Sequence, residues 1–362
     1  MKNTPEEAQN PFYREVIQRV AGNHFEFSGK YWIQGATALV LEAYDAHKKR
    51  WVTVKILWVD NVGDMPSRES LKLSLSYLLK LNEHPIAVDL IYQEVEASQW
   101  VSNPELPFLI LESLHNPQVP TPNSPSLGQT SPVFPNISDI VYRHPGWLPL
   151  WEVLDLSWQY AQFLEYLHQN GMTYPDIKPI HTYWSGNHIR IIDYNCCETV
   201  PPPGQAVSEQ SQRGDIGLFG YLLLYPMLTG RDPHSQLPID RLAAILYTRN
   251  SLRYQAPDPL IFSDVDELIP QAVKQLATQA IKQQYASASN LSQAIRQCQQ
   301  RLHLIDENPD PWQKLRESET VLRENREEGR RLLELLRREW DPEDPRRLEA
   351  RRLAIMSARE RK

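Results

Sequence analysis

The chain has 362 residues, of which 41% are hydrophobic and 23% are charged, and its formal net charge is -7. These values are typical of a globular protein with one large domain and an additional segment, and the negative charge disfavours nucleic acid as the main partner. No run of about 20 apolar residues predicts a membrane span, three cysteines are too few for a disulfide framework, and residues 1–16 lack the apolar core of a signal peptide, so we expect a reduced, cytoplasmic protein.

Three apolar segments that follow a polar lead-in over residues 1–29 predict a β-meander. They cover residues 31–33, 38–41 and 51–57. Lys55 lies in the third segment, where a strand lysine ordinarily points to solvent. A fourth strand is predicted over 108–112, and it ends at Glu112-Ser113-Leu114.

A helical pattern lies between the third and fourth strands, and a loop-like composition follows the fourth strand. Leucines at helical spacing predict a helix over 65–81, which precedes His84-Pro85. Residues 115–136 are rich in Pro, Ser and Asn, a composition that cannot bury a core and predicts a surface loop or linker. A docking or phosphorylation segment is the alternative for this stretch.

The carboxyl-terminal half is predicted to be mainly helical. A helix over 151–169 ends at Asn170-Gly171 and leads into a polar stretch over 171–195 that contains Asp176 and Asp193. Residues 215–228 are apolar nearly all round and predict a buried central helix. Further helices are predicted over 240–248 and 265–280.

The composition becomes rich in Arg and Glu from residue 310 onward. Leu315, Leu322, Gly329 and Leu336 have heptad spacing, but Glu319 and Arg326 interrupt the second apolar stripe of a coiled coil. One interpretation is a solvated helix with i,i+4 ion pairs. The other is a helix over 312–340 that binds a partner protein or a second copy of the chain. Interleaved acids disfavour nucleic-acid contact by the arginines.

Two short motifs resemble those of the eukaryotic-type Ser/Thr protein kinase superfamily. Residues 174–181 read Y-P-D-I-K-P-I-H, and residues 193–195 read D-Y-N, where the family has H-R-D-x-K-P-x-N and D-F-G. With Lys55 aligned on the family's strand lysine, the Gly-rich loop falls without a gap on Ile33, Gly35, Ala38 and Val40.

The resemblance implies an α+β, bilobal protein-kinase-like fold. Its small β-rich lobe would cover residues 30–114 and its helical lobe 137–305, with the loop at 115–136 between them. A charged helical tail over 310–362 would follow.

The same resemblance implies roles for individual residues. Asp176 would be the catalytic base, Lys178 the contact to the moving phosphate and Asp193 the metal ligand. ATP would be held by Lys55 together with Gly35, Val40, Glu112 and Leu114. Asp215 and Glu209 would be structural anchors. His181 stands where the family has the asparagine that holds a second Mg²⁺; because imidazole suits Mn²⁺ or Zn²⁺ better, we expect one Mg²⁺ or Mn²⁺ ion rather than two.

Several departures from the family pattern indicate impaired catalysis. Ile33 and Ala38 replace two loop glycines, and Leu75 stands where a carboxylate should pair with the strand lysine, with Glu69 more than a turn away. Pro175 replaces an arginine of the catalytic loop, and Gln284 replaces the arginine that would pair with Glu209.

Three functions are therefore open. The first is a pseudokinase that holds ATP and acts as a regulatory or scaffolding module in signalling. The second is a slow, atypical Ser/Thr kinase that transfers the γ-phosphate of ATP to protein. The third is an assembly protein that acts through the C-terminal helix.

Overall fold

The fold of the chain is mixed α+β, as predicted, with a small antiparallel sheet and many helices. The computed structural model describes residues 24–34, 38–57, 76–77, 80–81, 84–86, 108–114, 135–143, 147–194, 197–199, 207–231, 267–305 and 307–358. It divides into two compact units, a first unit of Met1–Pro135 with Arg190–Cys196 and a second unit of Asn136–Ile189 with Cys197–Lys362. No helix in these described ranges is long and apolar enough to cross a membrane. The predicted domain boundaries remain predictions.

The first unit contains a four-stranded antiparallel sheet with the strand order β1-β2-β3-β4. Its strands are β1 (Phe25–Gln34), β2 (Ala38–Asp45), β3 (Arg50–Leu57) and β4 (Phe108–Glu112). Asp45 Oδ1 accepts hydrogen bonds from the backbone N–H groups of His47 and Lys48, which closes the turn between β2 and β3. Val52 and Val54 of β3 are fully buried, as expected for strand residues that alternate between two faces. The meander therefore has the predicted strands, although β1 begins at Phe25 instead of at residue 31.

The second unit is mainly helical from residue 150 onward, after a π-helical turn over Asp139–Arg143. The chain runs through α1 (Leu150–Gln169), β5 (Met172–Thr173), a 3₁₀ turn (Pro179–His181), β6 (Thr182–Trp184), β7 (Ile189–Ile191, of which Arg190 and Ile191 belong to the first unit), β8 (Glu198–Thr199) and α2 (Glu209–Phe219). It continues through a π-helical turn (Gly220–Leu224), α3 (Tyr225–Thr229), α4 (Gln271–Ile281), α5 (Ala288–Arg301), α6 (Gln313–Glu324), α7 (Arg326–Leu336) and α8 (Pro345–Ala358). Strand β5 pairs with β8, and β6 pairs with β7.

The predicted central helix over 215–228 is buried along its length, as expected. It is not one regular α-helix, because α2 passes through the π-helical turn before α3 begins. At Gly220 a Cβ atom would lie 2.9 Å from both Ala280 Cβ and Ile281 N of α4. The absence of a side chain at Gly220 therefore allows α4 to pack against the turn.

The C-terminal tail contains more helices than its sequence predicted. Residues 312–340 form two helices, α6 and α7, instead of one, and α8 follows them; Asn325 ends α6 and caps α7 by accepting a hydrogen bond from Glu328 N. Leu315 and Leu322 are fully buried. Trp312 is also buried, and its Nε1 donates to Leu302 O at 2.7 Å. The apolar seam of the tail is thus used within the second unit.

Gly329 is a point of close approach between α6 and α7. A Cβ atom there would lie 2.3 Å from Leu322 Cα and 2.6 Å from Leu322 N. We expect Gly329→Ala to lower the free energy of unfolding by about 1–3 kcal/mol, because backbone atoms cannot move aside as a flexible side chain would. Chemical denaturation measures this change.

Gly214 of α2 is the matched control for this substitution, since a Cβ atom there would meet nothing within 4 Å. Gly214→Ala should raise the free energy of unfolding by about 0.5–1 kcal/mol, because alanine is the better helix former. A similar increase in the free energy of unfolding for Gly329→Ala and Gly214→Ala would contradict the close crossing of α6 and α7.

Candidate functional site

The first candidate group lies in the first unit and consists of Lys55 and Asp193. Lys55 lies on β3, opposite Val40 of β2 and Leu109 of β4. Its Nζ atom is 2.7 Å from Asp193 Oδ1, and the two side chains are 14% and 27% exposed. The ammonium group and the carboxylate therefore form an ion pair that solvent can still reach.

Asp193 has an unusual backbone conformation, with φ at 67°. This left-handed region is sparsely populated by residues other than glycine, although Asp and Asn tolerate it better than most, and such outliers are common at functional sites. The chain just before it is fixed within the first unit, because Ile191 N donates to Ile86 O at 2.9 Å and Arg190 Nη1 donates to Pro85 O at 2.7 Å.

The His84-Pro85 segment supports this attachment. Ile86 N donates to His84 Nδ1 at 3.3 Å. Burial lowers the pKa of His84, which favours the neutral ring that this acceptor role requires. The segment from 84 to 86 and the segment that carries Asp193 are joined by one backbone hydrogen bond, from Ile191, and by one from the Arg190 side chain.

The other residues predicted to hold a nucleotide are only partly described. Val40 is half-buried and lies opposite Lys55, so the two side chains share one face of the sheet. Leu114 is buried, and Glu112 ends β4. Gly35, and the predicted positions Glu69 and Leu75, lie outside the described residues, as do the loop over 115–134 and the helix predicted over 240–248.

The second candidate group lies in the second unit, in the segment between β5 and β6. Asp176 is 2% exposed, and its Oδ1 atom lies 2.6 Å from Lys178 Nζ in an ion pair without hydrogen-bond geometry. His181 Nδ1 lies 3.6 Å from Asp176 Oδ2 and 3.3 Å from the Asp176 carbonyl oxygen. The Asp176 carboxylate is therefore almost enclosed and lies between two basic side chains.

Asp215 connects this segment to helix α2. Its Oδ2 atom accepts a hydrogen bond from Tyr174 N and lies within hydrogen-bond distance of His168 Nε2, both at 2.9 Å. Both Asp215 and His168 are buried. Asp215 was predicted as an anchor from the family resemblance, whereas His168 was not predicted, because a single histidine near a helix end carries no distinctive pattern.

Glu209, the other predicted anchor, is largely exposed and has its partner in its own helix. Its carboxylate pairs with Arg213, one helical turn further along α2, at 2.5 Å, and the Glu209 side chain is 61% exposed. Arg213 Nη1 also donates to Gln283 O at 2.6 Å. The family resemblance places the arginine partner of Glu209 at Gln284, so Arg213 was not predicted as the partner.

Two carboxylates of the second unit, the buried Glu319 and the half-buried Glu152, were not predicted to have a structural role. Glu152 accepts hydrogen bonds from Trp184 Nε1 at 2.7 Å and from Arg323 Nη2 at 2.9 Å. Trp147 Nε1 donates to Glu319 Oε1 at 3.2 Å. Burial raises the pKa values of both Glu152 and Glu319. These contacts attach α6 to the start of α1 and to β6, next to the segment that carries Asp176.

Comparison with known proteins gives one distant similarity. No protein-family model matches the chain. A protein of Streptomyces coelicolor named as a probable serine/threonine-protein kinase is 25% identical over an alignment of 260 positions, and the alignment covers 65% of this chain and 35% of that protein. The chain therefore spans about a third of the length of the curated relative that it matches. The similarity suggests a relation to the kinase-like superfamily, and the α+β fold is compatible with that relation.

Proposed function

We propose that the chain is a kinase-fold pseudokinase that binds ATP and one divalent cation and acts as a regulatory or scaffolding module. The observation that carries this proposal is the ion pair between Lys55 and Asp193 in the first unit. It supplies a cation for phosphate oxygens and a carboxylate for a metal ion, and nucleotide binding by kinases requires both.

The chemistry of the donor atoms fits such a ligand. Asp193 offers the oxygen ligands that Mg²⁺ prefers, whereas His181 offers nitrogen, which suits Mn²⁺ better. When bound, ATP would supply the phosphoryl group and the cation would neutralise its charge. Lys55 would then exchange part of its contact with Asp193 for contacts to phosphate oxygens.

The sequence departures support weak or absent phosphoryl transfer. His181 replaces the asparagine of the family's second metal site, and Ile33 and Ala38 replace glycines that let backbone N–H groups approach phosphates. Pro175 leaves the catalytic loop without the arginine that receives an activating phosphate. A fold that still binds nucleotide with little turnover accounts for these changes together.

A slow Ser/Thr kinase is the second candidate, and the contact between Asp176 and Lys178 favours it. A buried carboxylate held by an ammonium group could orient the hydroxyl of a protein substrate. Asp215 fixes the backbone of the same segment through Tyr174 N. Assembly through the C-terminal helix has less support, since Leu315 and Leu322 are buried within the second unit.

Thermal unfolding with ATP and Mg²⁺ or Mn²⁺ tests the nucleotide site. A ligand at 100 times its dissociation constant should add about 2.7 kcal/mol to the free energy of unfolding. Asp193→Asn and Lys55→Met should remove most of this gain, whereas Asp341→Asn, an exposed aspartate of the tail, should retain it. No stabilisation of the unaltered protein by ATP would contradict the proposal.

A transfer assay with radiolabelled ATP separates the two candidates. If the chain is a pseudokinase, the unaltered protein should transfer no more label to protein than the Asp176→Asn variant does. Incorporation that is lost in Asp176→Asn, while ATP still stabilises that variant, would show the slow kinase instead.

A further inference from the structure

A cavity of about 310 Å³ lies in the tail of the second unit, between the end of α7 and the first turns of α8. Its lining residues are Arg337, Pro342, Arg347, Leu348 and Arg351. We call it the arginine pocket. Three of its five lining residues carry a guanidinium group, so the pocket is strongly positive.

The arginines of this pocket have few acidic partners. Arg351 is exposed and has no hydrogen bond or ion pair to any residue in the described ranges. Arg347 donates to the carbonyl oxygen of Trp340 at 2.7 Å, and no carboxylate among the described residues forms an ion pair with it. Arg337 contacts Glu334 at 3.1 Å, but this pair is exposed to solvent and a stronger anion could displace it.

The nearby acidic residues do not neutralise the pocket. Asp344 is held by Arg346 through two contacts of 3.0 and 2.6 Å, so its charge is already paired. Asp341 and Glu343 are exposed and are not among the lining residues. Arg347 and Leu348 also lie in the first turn of α8, where the helix dipole favours an anion.

We propose that the arginine pocket binds a phosphoryl group, either as inorganic phosphate or on a phosphoserine residue of a peptide. Guanidinium groups bind phosphate oxygens through paired, charge-assisted hydrogen bonds, and arginine clusters recognise phosphorylated peptides in this way. The volume is at the lower end for ligand pockets, so it fits a phosphoryl group and a few adjoining atoms. Pro342 and Leu348 provide an apolar wall for the carbon atoms that carry the phosphate. This site is independent of the proposed nucleotide site.

Titration of the full chain tests the proposal with two probes. Inorganic phosphate is followed by calorimetry, and a fluorescent phosphoserine peptide is followed by anisotropy, next to the same peptide with unmodified serine. We expect both phosphate and the phosphopeptide to bind, and phosphate to compete with the phosphopeptide. Binding of phosphate with no preference for the phosphorylated peptide assigns the pocket to the free ion.

Arg351→Gln and Arg331→Gln form a matched pair of variants, because each removes one exposed positive charge of the tail. Arg331 pairs with Glu328 and does not line the cavity. Arg351→Gln should weaken binding by about tenfold or more, since it removes charge-assisted hydrogen bonds, while Arg331→Gln should bind as the unaltered protein does. Circular dichroism and thermal unfolding check that both variants are folded.

Two results would overturn the proposal. The first is no binding of phosphate or of the phosphopeptide by the unaltered protein. The second is an equal loss of affinity in Arg351→Gln and Arg331→Gln, which would show general attraction to a positive surface and no specific pocket.

Discussion

Replacing Arg352 with methionine is expected to lower the free energy of unfolding of the second unit by about 3–5 kcal/mol, because removal of one member of a buried ion pair leaves the other uncompensated. Arg352 is 1% exposed, and its partner Glu349 is fully buried. The two are bound through two contacts of 2.6 and 2.8 Å. Each also binds backbone groups outside α8.

These backbone contacts explain why the pair is important to the fold. Glu349 Oε1 accepts from Leu150 N, the first residue of α1, at 2.8 Å. Arg352 donates to Leu148 O at 2.6 Å and to Leu228 O, near the end of α3, at 3.0 Å. Helix ends leave N–H and C=O groups without partners within the helix, and the carboxylate and guanidinium groups satisfy them with the charge that the helix dipole favours. The pair therefore fastens α8 to two other helices.

A double-mutant cycle with Glu349→Gln and Arg352→Met separates this arrangement from a simple ion pair. If the two charges only compensate each other, the double variant should recover most of the lost stability. We expect it to remain destabilised, because Leu148 O and Leu228 O stay without their donor. Urea denaturation of the single and double variants measures the difference.

Arg351→Met is the control, since it makes the same chemical change one residue away on the exposed side of α8. Its effect should be within about 0.5 kcal/mol, as for most surface substitutions. An Arg352→Met variant as stable as Arg351→Met would contradict the docking of α8.

The elements with local sequence patterns were predicted well. The meander follows from apolar segments separated by a polar turn, and the strand register then sets Lys55 opposite Val40. The buried central helix follows from residues that are apolar on every side. In each case the pattern needs only residues within a few turns or one hairpin.

The tail could not be predicted in this way. Glu349 and Arg352 have the i,i+3 spacing of many solvated pairs. The exposed pair of Arg331 and Glu328 in α7 has the same spacing. Glu319 was expected to interrupt an apolar stripe, yet it is buried because Trp147, from a distant part of the chain, and Arg323, one helical turn away, supply its partners. Burial of charge depends on distant residues that complete the hydrogen bonds, and no local spacing reports them.

The predicted anchors of the candidate site illustrate the same limit. Asp215 and Glu209 were both selected by resemblance, but the structure buries Asp215 with two partners and leaves Glu209 largely exposed beside Arg213. Since the value of an ion pair or hydrogen bond depends on its burial, the two residues should contribute very differently to stability.

Asp215→Ala is expected to lower the free energy of unfolding by about 2–5 kcal/mol, because Tyr174 N and His168 would be left without an acceptor in a buried environment. Asp215→Asn should lose less, since an amide oxygen still accepts but without charge. Glu209→Ala should change the free energy by less than about 1 kcal/mol, as expected for an exposed pair. Urea denaturation gives all three values.

Hydrogen exchange at the Tyr174 amide shows whether Asp215 positions the segment that carries Asp176 or only adds to global stability. Loss of a positioning contact opens the segment locally, so exchange at Tyr174 should rise in Asp215→Ala by more than the global destabilisation explains. The exchange rates of the amides in the middle of α5 should rise only by the amount that the global destabilisation explains. Equal acceleration in both places would mean that Asp215 stabilises the second unit as a whole, and the anchor role would then be wrong. Because Asp176 lies two residues beyond Tyr174, a local effect would also predict weaker phosphoryl transfer in any form of the protein that is active.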